Sequence, residues 1–275
     1  MLLMNQVALS NYHYTAYSFD YFLRSIKKYA TEKIELYAAS PHLSILDATN
    51  SEVATIAKKI RNMGFQVCCV TQEQCVYPIN IASDTVALRQ RSIRSFERCI
   101  EIADSMEAPK VLVTPGRSML DASREEAWKR SVDALFSLCN KSEPYGIQLV
   151  LEGVTHLSTN LATSAKEVNQ MIDAVNHPML TSMIDICVLA REELDPESSI
   201  QELGNRLQHV HLADFYAGAR YALGDGQLPL PKWFSLLEAV QYSGDLALEI
   251  TNHVYDQNPD ECTERCMQYL KQYLG

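Results

Sequence analysis

The sequence predicts a (β/α)₈ barrel, built as one domain over residues 1–275. Three observations predict it. Short apolar runs alternate with longer amphipathic segments eight times along the chain. Gly64, Gly146 and Gly244 each stand between a helical pattern and the next apolar run, where glycine ends a helix in the left-handed conformation at little cost. The length of 275 residues is close to that of eight such units. Repeated strand, helix and glycine is the pattern of parallel α/β folds. Eight repeats favour closure into a barrel; a doubly wound sheet is the other arrangement the spacing allows.

The strands are expected at residues 6–9, 33–38, 66–71, 110–114, 147–152, 180–187, 208–213 and 245–251. The segments between them carry helical periodicity. Ile93, Phe96, Ile100 and Ala103 recur at spacings of three and four, as do Val168, Met171, Ile172 and Val175, and Phe234, Leu237 and Val240. Ser123 with Glu126, Ser164 with Glu167 and Ser199 with Glu202 read as capping boxes, in which the serine accepts an orphan N–H and the acid answers the cap's own. Asn258-Pro259 reads as a cap with proline at the first helical position. On the last helix Cys262 and Cys266 continue an apolar stripe with Tyr269, Leu270 and Tyr273.

Alternation along the later strands singles out four residues. Successive strand residues point to opposite faces. Ile147, Leu149 and Leu151 share one face of the fifth strand, and Gln148, Val150 and Glu152 the other. In the sixth, Ile184 and Ile186 alternate with Met183, Asp185 and Cys187. The seventh sets Val210 and Leu212 against His209, His211 and Ala213, and the eighth sets Leu246, Leu248 and Ile250 against Ala247, Glu249 and Thr251. The apolar phase faces the helices. The inward phase carries Glu152, Asp185, His211 and Glu249 to the C-terminal mouth, where barrel enzymes keep their chemistry. Converging buried carboxylates need a cation or a proton. Three carboxylates and one imidazole form an oxygen-rich shell suited to one Mn²⁺, Mg²⁺, Co²⁺ or Fe²⁺, with Zn²⁺ left open.

Composition narrows the function. Hydrophobic residues make up 47% of the chain and the net charge is −10. A packed core follows, and a phosphate-backbone partner does not, because nucleic-acid binding needs clustered Lys and Arg. No apolar run is long enough to span a membrane. The N-terminus lacks the pattern of a signal peptide, and the eight cysteines form no C-x-x-C pair, so a cytoplasmic protein with reduced thiols is expected.

These stretches carry a family resemblance. Leu149–Gly153 (LVLEG), Met183–Cys187 (MIDIC), His209–Asp214 (HVHLAD), Gly224-Asp-Gly226 and Leu246–Ile250 (LALEI) are similar to the xylose isomerase-like sugar isomerase and epimerase superfamily. Within it the chain resembles the ketose 3-epimerase branch, and its fructoselysine 3-epimerases in particular, through Ile34-Glu-Leu-Tyr, Pro41-His42, Val70-Thr-Gln-Glu-Gln, Tyr77-Pro78 and Asn80 as well. The resemblance covers essentially the whole chain. It implies a metal-dependent isomerase, Mn²⁺ first among the metals, with Glu152, Asp185, His211 and Glu249 as ligands. Glu152 and Glu249 would exchange a proton on opposite faces of C3 of a ketose or ketosamine, through an enediolate that the metal stabilises. It also implies a homodimer or homotetramer.

Two departures bear on the substrate. Free-ketohexose epimerases carry a His three residues after the metal Asp, where this chain has Val188. They carry an Arg shortly after the metal His, where this chain has Phe215, Tyr216 and Ala217. A sugar with a modified or extended end is therefore expected. Further candidates for sugar contact are His42, Glu73, Tyr77, Asn160, His209 and Asp214, each with a packing, capping or solvated-loop reading beside it. An aldose–ketose or hydroxypyruvate isomerase and an inosose dehydratase would use the same metal site. A non-catalytic sugar-binding barrel would not need two glutamates. A nuclease resembling endonuclease IV would need more than seven histidines and a basic groove.

Overall fold

The computed structural model of the protein describes residues 1–73 and 79–275. Among the described residues ten strands form: β1 (Val7–Ser10), β2 (Lys33–Tyr37), β3 (Gln66–Thr71), β4 (Lys110–Val113), β5 (Gln148–Glu152), β6 (Leu180–Asp185), β7 (Leu207–Leu212), β8 (Asp214–Tyr216), β9 (Ala219–Tyr221) and β10 (Asp245–Leu248). Eight of them close into a parallel barrel in the order β1-β10-β7-β6-β5-β4-β3-β2. The expected barrel is what the chain forms. The antiparallel pair β8–β9 stands apart, a hairpin inserted after β7 that alternation did not foretell.

The helices between strands are α1 (Phe19–Ile26), α2 (Asn50–Asn62), α3 (Val86–Ser105), α4 (Arg124–Ser142), α5 (Ala165–Val175), α6 (Ile186–Arg191), α7 (Pro196–Leu203), α8 (Leu230–Ala239) and α9 (Pro259–Leu270). Ser123 and Ser164 cap α4 and α5, each accepting the N–H three residues on, at 3.2 and 3.3 Å. Ser199 does not cap. The cap of α7 is Asp195, which accepts from Ser198 N at 2.8 Å, and Pro196 supplies the first helical residue. Proline there has no N–H to satisfy and a φ already helical, so the start moves four residues earlier. Gly64 and Gly146 take φ of 78° and 67°. Gly244 does not; Gln241 makes the left-handed turn after α8 at φ 55°. Gly244 is required instead by contact, since a Cβ there would stand 2.4 Å from the Gln208 carbonyl.

The barrel interior has three tiers. At the strand starts Lys33 and Lys110 both bind the buried Asp245, Lys33 Nζ lying 2.6 Å from its Oδ1. The middle tier is apolar: Ala8, Cys68, Cys69, Leu112, Val150, Met183 and Ala247. Titratable groups fill the upper tier. Two bulges set the levels. Ile34 pairs with Val67 but Glu35 pairs with Cys69, so β3 carries an extra residue and both Cys68 and Cys69 join the middle tier. Ser182 pairs with Leu207 but Met183 pairs with His209, which brings His211 level with Asp185. The opposite phase (Leu149, Leu151, Val210, Leu212, Leu246, Leu248) is buried among the helices, as alternation predicts. The described cysteines are free buried thiols. Among the described residues no helix is long and apolar enough to cross a membrane.

Candidate metal centre and active site

Four neighbouring strands deliver the four singled-out residues. Glu152 ends β5 and Asp185 ends β6. His211 is the last but one residue of β7. Glu249 follows β10 and still donates its N–H to Leu212 O at 3.0 Å. Ligand atoms of Glu152, Asp185 and His211 lie within 4.8 Å of one another, and all three residues are buried. Glu249 Oε2 joins them 3.3 Å from His211 Nδ1.

The surroundings fit a cation. His211 Nε2 lies 2.9 Å from Glu35 Oε1, so that side of the ring is taken by a carboxylate. Its Nδ1 and Glu249 Oε2 are close but not aligned as a hydrogen bond, and both are buried without a hydrogen-bond partner among the described residues. An imidazole held by a carboxylate on one nitrogen and bare on the other is the arrangement of a metal-ligating histidine. Asp185 Oδ1 accepts from Cys187 N (2.7 Å) and Val188 N (3.2 Å), capping α6, which leaves Oδ2 to face the others. A divalent ion would be held by Glu152, Asp185, His211 and Glu249.

Glu35 is a residue that sequence reasoning passed over. It is buried, accepts from Thr71 Oγ1 at 2.6 Å, and lies 2.7 Å from His209 Nε2 as well. Applying the inward-phase argument to β2 would have found it, since Lys33, Glu35 and Tyr37 share that phase. Arg220, on β9, is the other. Its Nη2 contacts Asp185 Oδ2 and lies 3.3 Å from Glu249 Oε2. The hairpin thus brings a guanidinium to the mouth, nine positions after His211 (220 − 211), although none stands at Phe215–Ala217.

The electrostatics divide the carboxyls. Burial pushes Glu152 up to about 8, Asp185 and Glu249 adding to it against His211 and Arg220. Asp185 is also raised, by burial, in spite of Arg220. Burial acts the same way on Glu249, but Arg220 and His211 outweigh it and bring it down to about 2. On His211 burial would favour the neutral ring; Glu35 and Glu249 win and hold it well above the usual histidine range. Like charges brought together with too few cations separate in affinity for protons in this way.

The remaining expected residues are placed differently. His42 has both ring nitrogens occupied, Nδ1 by Asn11 Nδ2 and Nε2 by Tyr17 O, each at 2.8 Å. Asn160 clamps the loops after β4 and β5, accepting from Ser118 N at 2.9 Å and donating to Ser118 O at 3.3 Å. Asp214 is buried and accepts from Phe215 N, Gly224 N and Leu228 N, so its carboxylate is spent on closing the hairpin and the Gly224-Asp-Gly226 turn. His209 is fully enclosed below His211. These four make protein contacts because each carries polar atoms that a loop or tier would otherwise leave unsatisfied. Glu73 is exposed and accepts from Tyr37 OH, whose ring lies 4.4 Å from that of Tyr12. Burial, with Glu249 and Glu73, raises the Tyr12 hydroxyl against Arg220, so Tyr12 is within electrostatic range of Glu249. Tyr77 lies outside the described residues. Val188 is buried in α6.

A model of the family described as xylose isomerase-like TIM barrel matches residues 23–273. The chain belongs to that family. It is 25% identical over 257 residues to the fructoselysine 3-epimerase of Shigella flexneri, covering 93% of each chain. It is 24% identical over 219 residues to the L-ribulose 3-epimerase of Mesorhizobium japonicum, covering 78% of this chain and 72% of that one. Among solved structures, a D-psicose 3-epimerase crystallised with D-fructose superposes with a TM-score of 0.81 at 17% identity over 97% of both chains, a likeness of fold.

Proposed function

We propose that the protein is a divalent-metal-dependent carbohydrate 3-epimerase that inverts C3 of a ketose or ketosamine, with Glu152 and Glu249 as the proton-exchanging pair. The enzyme class, isomerase, rests on relatives that match over 93% and 78% of the chain. The observation that carries the mechanism is the convergence of buried Glu152, Asp185 and His211, with half-buried Glu249 3.3 Å from His211 Nδ1.

A divalent cation there would polarise the ketone and the neighbouring hydroxyl and so stabilise the negative charge that develops when the C3 proton leaves. The protein supplies the rest. Glu249 and Glu152 approach from β10 and β5, with His211 and Asp185 between them on β7 and β6. A sugar seated over the tier meets one glutamate from each side. One removes the C3 proton and the other returns a proton to the opposite face. Each glutamate must exchange a proton near neutral pH, so burial and the cation together must tune both. Glu35 holds the His211 ring, and Glu152, Asp185 and His211 are buried.

Three carboxylates against one imidazole make the proposed ligand set oxygen-rich, which favours Mn²⁺ over Zn²⁺ in this reading. The apolar Val188 supports a substrate with a modified end, such as a fructosamine. Arg220 removes the second support for that preference, because the mouth does contain a guanidinium. Buried free thiols are in keeping with a reducing cytoplasmic setting. A homodimer or homotetramer is part of the same reading, to be read by analytical ultracentrifugation.

The test is solvent exchange at C3. Mn²⁺-loaded protein is incubated in D₂O with fructoselysine, psicoselysine, fructose, psicose and tagatose and followed by NMR. Deuterium is expected at C3 as the epimer appears, and neither in Glu152→Gln nor in Glu249→Gln. Metal bound without exchange in any of the five sugars would transfer the site to an isomerase or dehydratase reaction.

A further inference from the structure

The rim on the Glu152 side of the barrel holds a cavity apart from the quartet. Its volume is about 480 Å³, within the range of about 300–1,000 Å³ for small-molecule sites, and its walls are the loops after β3, β4 and β5 with the helices they enter. Val154 and Ser158 line it. The same two residues line a neighbouring cavity of about 560 Å³, whose wall includes Cys187 and Val188, the residues whose N–H groups Asp185 accepts. The two spaces therefore meet at the loop after β5, where Val154 stands two positions beyond Glu152 (154 − 152).

The walls of this cavity are sewn together by buried and half-buried polar groups. Asn80 Oδ1 accepts from Ala82 N and Arg117 N, each at 3.0 Å, and Asn80 Nδ2 donates to Arg117 O at 3.0 Å. Thr159 Oγ1 donates to Gly116 O at 2.6 Å, and Asn160 holds both backbone groups of Ser118. Gly116 is required there, with φ 72° and space for a Cβ only 2.6 Å from Asn80 Oδ1. Loops tied to one another in this way need little ordering when a ligand enters.

The charge in the lining is specific. Arg117 and Arg130 are each anchored by one backbone carbonyl: Arg117 Nη1 donates to Leu157 O at 3.3 Å and Arg130 Nε to Ala82 O at 2.9 Å. Neither forms an ion pair among the described residues, in a chain with ten more acidic than basic residues (34 − 24). Arg124, from the same stretch, is paired with Glu167. The unused N–H groups of two guanidinium forks suit a carboxylate. Among the described residues the lining has one acid of its own, Asp84. Two cations and one acid match the carboxylate and ammonium of an α-amino acid.

We propose that this cavity receives the far end of the substrate, an α-amino acid carried on a ketosamine, with Arg117 and Arg130 taking its carboxylate and Asp84 its ammonium. The proposal rests on the epimerase reading for the place of the sugar. It gives the two arginines the selection of the substrate and leaves the chemistry at C3 to the quartet.

The test compares two ketosamines on Mn²⁺-loaded protein: fructoselysine, joined through the ε-nitrogen, and 1-deoxy-1-pentylamino-fructose, which has the same tether and neither end charge. Wild type, Arg117→Met and Arg130→Met are compared by kcat/KM for exchange at C3 and, separately, by calorimetric binding. Wild type is expected to prefer fructoselysine roughly tenfold or more, the effect of a charge-assisted contact, and the preference is expected to fall towards one in the variants, chiefly through KM. Arg117 is exposed, so Arg117→Met carries the test if Arg130→Met does not fold. Equal kcat/KM for the two compounds in wild type, or a preference for fructoselysine that survives in both variants, overturns the proposal. Where neither compound exchanges at C3, binding decides. Tighter binding of fructoselysine that is lost in the variants sinks the proposed reaction and leaves the subsite standing; equal binding of the two compounds overturns the subsite.

Discussion

Nε2 of His211 lies 2.9 Å from Oε1 of Glu35, and the same carboxylate lies 2.7 Å from Nε2 of His209. Glu35 therefore fixes which nitrogen of His211 faces the other three residues. Glu35→Gln keeps the shape and removes the charge. Mn²⁺ affinity is expected to fall roughly 10–100-fold, the range for partners of metal-ligating histidines. Calorimetric titration checks it; an affinity equal to wild type would show that packing alone orients the ring.

The floor of the barrel carries a different kind of prediction. Asp245 is the shared partner of Lys33 and Lys110, and the Lys110 and Asp245 side chains are 10% and 8% exposed. Asp245→Asn leaves buried ammonium charge uncompensated, at a cost of about 3–5 kcal/mol. Urea denaturation should show that loss in the midpoint. Lys33→Met and Lys110→Met combined with Asp245→Leu should recover much of it, because an apolar floor needs no pairing.

His13 gives the chain a pH dependence away from the metal site. Its Nε2 lies 2.9 Å from Thr263 Oγ1, its Nδ1 is buried without a partner among the described residues, and burial brings its pKa down to about 4 against weak opposition from Asp260. The unfolded chain binds that proton more readily than the folded one, so stability rises with pH between the two values. This contribution is present in full above the unfolded pKa of about 6.5 and is lost as pH falls towards 4, amounting to about 3 kcal/mol. Chemical denaturation from pH 7 to 4 should show His13→Gln flatter than wild type over that window. Parallel curves would mean that His13 is protonated in the fold.

Gly226 and Asp214 set the hairpin. A Cβ at Gly226 would stand 2.5 Å from Asp214 Oδ1 and 2.7 Å from Phe215 N, in rigid surroundings. Gly226→Ala is expected to destabilise by about 1–3 kcal/mol through overpacking. The loss should be local: hydrogen exchange should quicken at Phe215, Gly224 and Leu228, whose N–H groups Asp214 accepts, and stay unchanged in the middle-tier strands.

Alternation made the strands and the quartet legible, while closure into a barrel, with β1 paired to β10, was favoured by the count of eight repeats. Buried strands in a barrel have one face against helices and one face inward, so an ionisable group in the inward phase of four successive strands announces a site wherever the loops go. Glu35 obeys the same rule on β2 and could have been read with the others. His42, Asn160 and Asp214 could not be assigned from sequence. A polar residue in a rim loop serves substrate or backbone with equal chemistry, and only the positions of Asn11, Tyr17, Ser118 and the Gly224 turn decide between them.

The sequence by itself determined the eight strands, their phases and the four inward-facing residues, because period and burial are local properties of a chain; closure into a barrel rests on the pairing of β1 with β10. Tertiary structure alone decided what surrounds them. One bulge levels Asp185 with His211, and a hairpin whose strands run from Asp214 to Tyr216 and from Ala219 to Tyr221 returns Arg220 to carboxylates on other strands. Both depend on pairing between distant segments, and no period along the chain encodes which distant partner a side chain will meet.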